Sequence, residues 1–147
     1  MVRELAQYER LEHRVSGSRA DLEAELFGAQ PLIEAIVALV DDVPVGFALY
    51  FHNYSTFLAR KGLYLEDVYV KPAHRRRGIG RALLIYLARL AVERGFGRFE
   101  WSVLDWNTPA IQFYEGLGAT VMPEWRIVRI TGDALRSLAA RSTPHRP

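Results

Sequence analysis

The pattern of apolar and polar positions predicts a β-hairpin in the first half of the chain. Two apolar runs of strand length, Ile33–Val40 and Val45–His52, flank the turn-forming segment Asp41–Pro44. The polar segment that follows, Asn53–Gly62, is predicted to be a loop. Three further runs have the length and composition of strands: Tyr64–Val70, Phe99–Leu104 and Trp125–Ile130.

Helical spacing alternates with these strand-like runs. The strongest case is Arg81–Arg94, where Leu83, Leu87 and Leu90 share one face and Gly95 ends the helix. A first helix is predicted over Val2–Glu12, and a second one begins after a Ser18 cap, with Asp21 in the capping-box position and Gly28 at its end. A further helix is predicted to begin at Asn107-Thr108-Pro109 and to end near Gly116 or Gly118. The last helix lies in a tail that reaches Ala140.

This order of elements predicts an α/β (α+β) domain with a mixed, mostly antiparallel sheet flanked by helices. The length of 147 residues suits one domain with one core, which we expect to span residues 1–140. The last residues, 141–147, are expected to form a disordered tail.

Composition excludes several classes of protein. The absence of cysteine rules out disulfides, thiolate metal sites and a cysteine nucleophile, and it suits a cytoplasmic protein. No apolar run reaches membrane-spanning length, and a net charge of +2 is too small to indicate nucleic-acid binding. We expect no metal either, because the histidines have no metal-ligand spacing: His13, His52, His74 and His145.

The most informative motif joins the strand at Tyr64–Val70 to the helix after it. Three arginines, Arg75 to Arg77, precede Gly78-Ile79-Gly80, so a cationic, glycine-containing turn lies at a helix N-terminus. Such a turn suits an anion such as pyrophosphate. It is not a Walker A loop, because Gly80-Arg81-Ala82 lacks the Gly-Lys-Ser/Thr ending, and Leu83 departs from the Rossmann pattern. The alternative is an arginine-rich surface loop.

The Arg-x-x-Gly-x-Gly pattern resembles the acetyl-CoA pyrophosphate loop of the GNAT N-acetyltransferases. A second cluster, Val103–Asn107 followed by Phe113-Tyr114-x-x-x-Gly118, resembles the second cofactor-binding half of these enzymes. The chain is most similar to the branch that contains spermidine/spermine (diamine) and thialysine N-acetyltransferases. The segments that carry this resemblance are Leu5–Glu12, Asn53–Phe57, Tyr64–Val70 and Val103–Asn107.

The resemblance implies acetyl-CoA as co-substrate and a set of residues that hold it. The pyrophosphate loop would be Arg75, Arg76, Arg77, Gly78, Ile79, Gly80 and Arg81. The backbone of Val68, Tyr69 and Val70 would pair with the pantetheine arm like an added strand. The other side of the cofactor would contact Asn107, Thr108, Pro109, Ala110 and Tyr114.

The resemblance also implies the catalytic and substrate residues. Tyr114 would protonate the departing thiolate, and the alternative is a core tyrosine paired with Phe113. Glu66 would bind the amine and act as base through water, whereas the role of Asp67 is open; an ion pair with a neighbouring arginine is the alternative for both. Tyr8 and Glu9 match the substrate-binding pair, although a solvated helix face explains them equally well.

The expected function is acetylation of a primary amine on a small cationic substrate by direct attack, in a homodimer. The alternatives are acetylation of a protein lysine or N-terminus and a non-catalytic CoA-binding regulatory module. One departure from the family is expected, because its members begin with a strand before the first helix and this chain starts inside that helix. Either the start codon is assigned too late, or the family's second strand, here Ile33–Val40, has become an exposed edge strand.

Overall fold

The computed structural model describes residues 1–141 and divides into two compact units. The first unit, Met1–Ser102, carries all of the assigned strands and three α-helices. In chain order these are α1 (Val2–Tyr8), α2 (Arg19–Phe27), β1 (Glu34–Val40), β2 (Val43–Ser55), β3 (Arg60–Val70), α3 (Ile79–Glu93) and β4 (Phe99–Trp101). The second unit begins at Val103 and carries α4 (Thr108–Glu115) and α5 (Gly132–Ala139).

The four strands form one sheet in the order β1-β2-β3-β4. β1 and β2 form the predicted hairpin, β2 pairs antiparallel with β3, and β3 pairs parallel with β4. This mixed, mostly antiparallel sheet with helices confirms the predicted fold class. β1 lies at the edge, and Val37 and Leu39 on it are 52% and 56% exposed.

The β2–β3 hairpin is longer than the sequence predicted, and the loop predicted over Asn53–Gly62 is wrong. β2 continues past His52 to Ser55, and β3 begins at Arg60, before Tyr64. In the added part of the hairpin, Asn53 pairs with Gly62 and Ser55 pairs with Arg60. Polar residues can extend a ladder of this kind because its stability comes from backbone hydrogen bonds once two strands are in register.

The core of the first unit lies between the sheet and α3. Leu83 and Leu87 of the predicted face are buried, together with Leu84 and Ala91, whereas Leu90 is only half-buried. Each fully buried leucine contributes about 2 kcal/mol of transfer free energy. This packing fixes the start of α3 relative to the end of β3, which is where the candidate site lies.

The end of α3 is also tied to the sheet by an ion pair. Arg94 donates two hydrogen bonds to the Glu34 carboxylate, at 2.6 and 2.8 Å, and Tyr50 donates a third at 3.1 Å. The Arg94 guanidinium lowers the pKa of Glu34. Burial and the Glu34 charge raise the pKa of Tyr50 to about 12, so the phenol stays protonated.

Helix caps explain where α2 and α4 begin. The Ser18 side chain accepts from the Asp21 amide and the Asp21 carboxylate accepts from the Ser18 amide, which is the predicted capping box. In the second unit Asn107 caps α4 and Pro109 lies in its first turn.

The predicted strand Trp125–Ile130 is wrong, because this segment forms no strand in the described structure. Trp125, Ile127 and Val128 are 70%, 70% and 95% exposed, so its apolar side chains are not packed as those of a sheet strand would be. The predicted C-terminal helix is present as α5. The expected disordered tail, 141–147, lies outside the described residues except for Arg141.

Candidate active site

A β-bulge on β3 sets the position of the two candidate acidic residues. Leu49 pairs with Asp67 and Tyr50 pairs with Leu65, so Glu66 is the extra residue without a partner on β2. A bulge of this kind bends the strand and turns side chains out of the regular alternation. Glu66 is exposed and Asp67 is half-buried, so the two neighbouring carboxylates are solvated differently.

Asp67 is the more perturbed of the two carboxylates. Burial first, and the negative charges of Glu66 and Glu9 next, together raise the pKa of Asp67 to about 6. Burial also raises the pKa of Glu9, which follows directly after α1. The charges of Glu66 and Glu9 therefore both act on Asp67, and a bound cation would relieve this repulsion.

The edge of β3 is open beyond the bulge on the side opposite β2. β4 pairs only with Leu63, Tyr64 and Leu65, and the remainder of β3 continues on β2 alone within the described residues. The backbone N–H of Lys71 donates to the Val45 carbonyl on β2 at 2.8 Å. Because the C=O and N–H of one trans peptide group point in opposite directions, the Val70 carbonyl points away from β2. This edge carries Val68 to Val70, the residues predicted to pair with an extended arm.

The turn between β3 and α3 has the conformation of an anion-binding loop. A short 3-10 turn, Pro72–His74, leads to exposed Arg75, Arg76 and Arg77, and Arg76 has a φ of 59°. Gly78 caps the 15-residue helix α3 with a φ of 80°, a left-handed conformation that favours glycine. The amides of Ile79, Gly80 and Arg81 precede the first hydrogen bond of α3, in which the Ala82 amide donates to the Gly78 carbonyl at 2.9 Å. These first-turn amides have no helical carbonyl to bond. The residues present therefore fit a pyrophosphate.

Arg75 differs from the two arginines that follow it. Its Nε donates to the Val70 carbonyl at 2.9 Å, and its guanidinium lies 4.7 Å from the Tyr8 ring centroid and 5.6 Å from that of Tyr69. The Tyr69 hydroxyl donates to Glu4 at 3.0 Å. The sequence motif did not indicate the Arg75–Tyr8 and Tyr69–Glu4 contacts, because they join α1 to residues more than sixty positions later.

The second unit holds the other set of predicted residues. Asn107 is buried, and its side chain accepts from the Ala110 amide at 3.4 Å. Tyr114 is half-buried on α4, and its ring centroid lies 5.4 Å from that of Phe113. The predicted cap and helix are thus present, and Asn107, Thr108, Pro109, Ala110 and Tyr114 share one helix and its cap.

The structure thus brings the predicted residues together in two groups. The first unit contains Tyr8, Glu9, Glu66, Asp67 and the turn Arg75–Gly80, which we call the arginine turn. The Asn107–Tyr114 group belongs to the second. Sequence reasoning missed the bulge at Glu66, because it depends on the register of β2 and β3. It also missed the contact of Tyr69 with Glu4, because that contact joins distant parts of the chain.

His74 ends the short 3-10 turn that precedes Arg75. The side chain is half-buried, and Nδ1 is shielded from water without a hydrogen-bond partner among the residues described. Within residues 1–141, no group of three or more histidine or carboxylate side chains is arranged to hold a metal ion. Among the described helices, none is long and apolar enough to cross a membrane.

Comparison with known proteins decides the family. Residues 2–119 match the model of the acetyltransferase (GNAT) family. The chain belongs to this family. That confirms the predicted acyltransferase, and the matched region contains the bulge, the arginine turn and α4.

Curated relatives support the predicted branch of this GNAT family. The chain is 40% identical over 152 residues to the thialysine N-epsilon-acetyltransferase of Sus scrofa, covering 96% of this chain and 89% of that protein. It is 44% identical over 126 residues to an L-ornithine N5-acetyltransferase of Arabidopsis thaliana, covering 86% of this chain and 52% of that protein. The chain thus spans about half the length of the ornithine enzyme. A human spermidine/spermine N(1)-acetyltransferase-like protein is 31% identical over 149 residues, covering 95% of this chain and 21% of that protein.

Solved structures show the same fold. An integron cassette protein from the mobile metagenome of V. cholerae superposes with a TM-score of 0.78 at 28% identity, covering 94% of this chain and 86% of that one. An aminoglycoside acetyltransferase from a soil metagenomic sample superposes with a TM-score of 0.74 at 19% identity, covering 88% of this chain and 84% of that one, and this second likeness shows the fold alone.

Proposed function

We propose that the protein is an acetyl-CoA-dependent N-acetyltransferase that acetylates a primary amine of a small cationic substrate. The observation that carries the proposal is the cluster of three carboxylate side chains, those of Glu9, Glu66 and Asp67, beside the open edge of β3. A diamine, a polyamine or a lysine-like amine such as thialysine has the charge that this group attracts. The relatives named for thialysine and L-ornithine acetylation support the same substrate class.

The acyl donor would bind along β3 and at the start of α3. Acetyl-CoA supplies a thioester acyl group. The N–H groups of Gly78, Ile79 and Gly80, with the charges of Arg76, Arg77 and Arg81, would hold its pyrophosphate. The N–H groups of the Val68–Val70 edge would hold the arm and the carbonyl oxygen on which negative charge develops. By the family resemblance, Asn107, Thr108, Pro109 and Ala110 would also contact the cofactor.

The amine would bind through Tyr8, Glu9 and Glu66. An alkylammonium must lose a proton before its nitrogen can attack, and a carboxylate, directly or through water, can accept that proton. Glu66 is our first choice for this role because of the family resemblance. Asp67 would support it, since a pKa of about 6 lies closer to neutral pH than that of an ordinary carboxylate.

The reaction would proceed by direct attack, because the chain has no cysteine to carry the acetyl group. The amine nitrogen forms the new N–C bond as the C–S bond breaks, and the electron pair of that bond leaves with sulfur. Tyr114 gives its phenolic proton to the thiolate and regains one from solvent. A phenol with a pKa of about 10 can protonate a thiolate, whose conjugate acid has a pKa near 8.5.

The proposal includes a cytoplasmic homodimer. Lack of cysteine suits a reducing compartment, and the resemblance to the polyamine and thialysine branch supports the dimer. Light scattering after size-exclusion chromatography should give twice the chain mass of 16.8 kDa. A mass of one chain at micromolar concentration would remove the dimer from the proposal and leave the reaction unchanged.

A thiol-release assay with a panel of amines tests the reaction. The panel contains putrescine, spermidine, ornithine, lysine, thialysine and two peptides, one with a lysine side chain and one with only a free N-terminus. We expect kcat/KM for at least one small amine to exceed that of both peptides by about tenfold or more. Turnover of peptides alone would favour a protein acetyltransferase. Binding of acetyl-CoA without acetylation of any amine would favour a regulatory module.

A further inference from the structure

Arg75 connects α1 to the open edge of β3 through three contacts. The hydrogen bond that Nε donates to the Val70 carbonyl fixes the guanidinium at the end of β3, and the same guanidinium contacts the Tyr8 and Tyr69 rings. The planar guanidinium can donate a hydrogen bond at its edge while its face lies against an aromatic ring. One side chain thus touches the predicted amine-binding end of α1 and the predicted acyl-donor edge of β3.

A second contact attaches α1 one turn earlier. Tyr69 donates to Glu4, and Leu5 is buried in a cluster with Phe47, Leu49 and Tyr69. With only seven residues, α1 is too short to be stable without tertiary contacts. Tyr69 and Leu5 therefore hold the first part of the helix, whereas the Arg75–Tyr8 contact holds its last residue, which lies directly before Glu9.

Arg76 and Arg77 occupy the same turn but lack such contacts. Within residues 1–141 neither forms a hydrogen bond, ion pair or ring contact, and both are exposed. Their charges are available to an anion, whereas the Arg75 guanidinium is engaged by a carbonyl and two rings. The arginine turn therefore contains two kinds of arginine that the sequence motif does not distinguish.

We propose that Arg75 is a positioning residue that holds Tyr8, and with it Glu9, at the amine site, while Arg76 and Arg77 supply the charge for the pyrophosphate. This inference rests on the proposed function for the amine site. It assigns Arg75 to the amine half of the reaction, although the Arg-x-x-Gly-x-Gly motif by itself assigns it to the cofactor half.

The experiment compares Arg75→Ala with Arg76→Ala, which removes the same side chain from the adjacent position. We expect Arg75→Ala to raise KM for the best amine of the panel about tenfold, as loss of a cation–π contact and a carbonyl bond implies. Its Kd for CoA, measured by calorimetry, should stay within about twofold of wild type, less than 1 kcal/mol. Arg76→Ala should show the opposite pattern, with weaker CoA binding and an unchanged amine KM.

Hydrogen exchange adds a readout that does not need turnover. In Arg75→Ala the amides at the end of α1, around Tyr8 and Glu9, should exchange faster than in wild type, whereas in Arg76→Ala they should not. Arg75→Lys keeps the charge but loses the Nε donor, so it should restore part of the amine KM. If Arg75→Ala fails to fold, Tyr8→Leu tests the same contact from α1: the amides around Glu9 should exchange faster than in wild type, without weaker CoA binding.

The outcomes separate this inference from the proposed function. Weaker CoA binding in Arg75→Ala, with an unchanged amine KM and unchanged exchange in α1, would overturn the inference and make Arg75 a phosphate ligand. A wild-type protein that acetylates no amine would overturn the proposed function. Exchange and calorimetry would then still report whether Arg75 positions the end of α1.

Discussion

Glu66 and Asp67 are consecutive residues on β3, yet the bulge leaves Glu66 exposed and Asp67 half-buried. The pKa of Asp67 is raised to about 6 by burial first and by the charges of Glu66 and Glu9 next. An uncharged Asp67 is therefore more compatible with the folded state than a charged one. This relationship has consequences for stability and for catalysis that can be measured separately.

The first prediction is that Asp67→Asn stabilises the protein at neutral pH. A carboxyl with a folded pKa of about 6 and an ordinary value of 3.8 binds more protons when folded. Its favourable contribution is complete below pH 3.8 and is lost as the pH rises through about 6. Asp67→Asn should match wild type in melting temperature near pH 4 and exceed it at pH 7, by on the order of 2 kcal/mol in unfolding free energy. An equal melting temperature at pH 7 would show that Asp67 is well solvated.

The second prediction is that Glu66→Gln weakens acetylation of a cationic amine. It removes one negative charge from the site, so kcat/KM for the best diamine or lysine-like amine should fall by about tenfold or more. The Asp67 pKa should also decrease, because the charge of Glu66 raises it. The variant should therefore lose the contribution of Asp67 to its stability at a lower pH than wild type does. Glu93→Gln on α3 is the control, and it should change neither property; a similar loss of activity there would point to a general charge effect.

The arginine turn shows which features of the site can be predicted from the sequence alone. Local patterns predict the strand, the turn and the helix, because the Gly78 cap and the spacing of the α3 leucines involve only residues close together in the sequence. The contacts of Arg75 with Tyr8 and the pairing of Glu34 with Arg94 join distant parts of the chain, and no local pattern encodes them. Trp125–Ile130 has strand-like composition, but a strand also needs a partner backbone, and composition does not supply one.

The third prediction concerns the cofactor loop. Gly78 and Gly95 flank α3, have φ values of 80° and 68°, and leave open space where a Cβ would stand. Valine at either position is strained, by at least about 1–2 kcal/mol, because the left-handed conformation disfavours a side chain. Gly78→Val and Gly95→Val should therefore lower the melting temperature alike. Only Gly78→Val should weaken CoA binding in calorimetry, and equal CoA affinity of the two variants would remove the turn from the binding site.

The fourth prediction tests the ion pair that fastens α3 to β1. Arg94→Ala leaves Glu34 without its bidentate partner, so the protein should lose about 1 kcal/mol of stability, and less at high salt. CoA affinity should not change, because the pair lies at the opposite end of α3 from the arginine turn. Arg89→Ala, an exposed position on the same helix, is the control for loss of an arginine side chain. No difference between the two variants would show that solvent screens the Glu34–Arg94 pair completely.

The fifth prediction separates an enzyme from a binding module and concerns Tyr114. Tyr114→Phe removes one hydroxyl and little volume, so the contact with Phe113 and the fold of α4 should survive. If Tyr114 protonates the departing thiolate, kcat should fall by about 10² to 10⁴, the usual contribution of a positioned general acid. KM for acetyl-CoA should change little, because the hydroxyl acts mainly in the transition state. Tyr54→Phe, on an exposed tyrosine of β2, is the control and should leave kcat unchanged. Near-normal turnover in Tyr114→Phe would mean that the thiolate leaves unaided or takes its proton elsewhere, and Tyr114 would then be a packing residue beside Phe113.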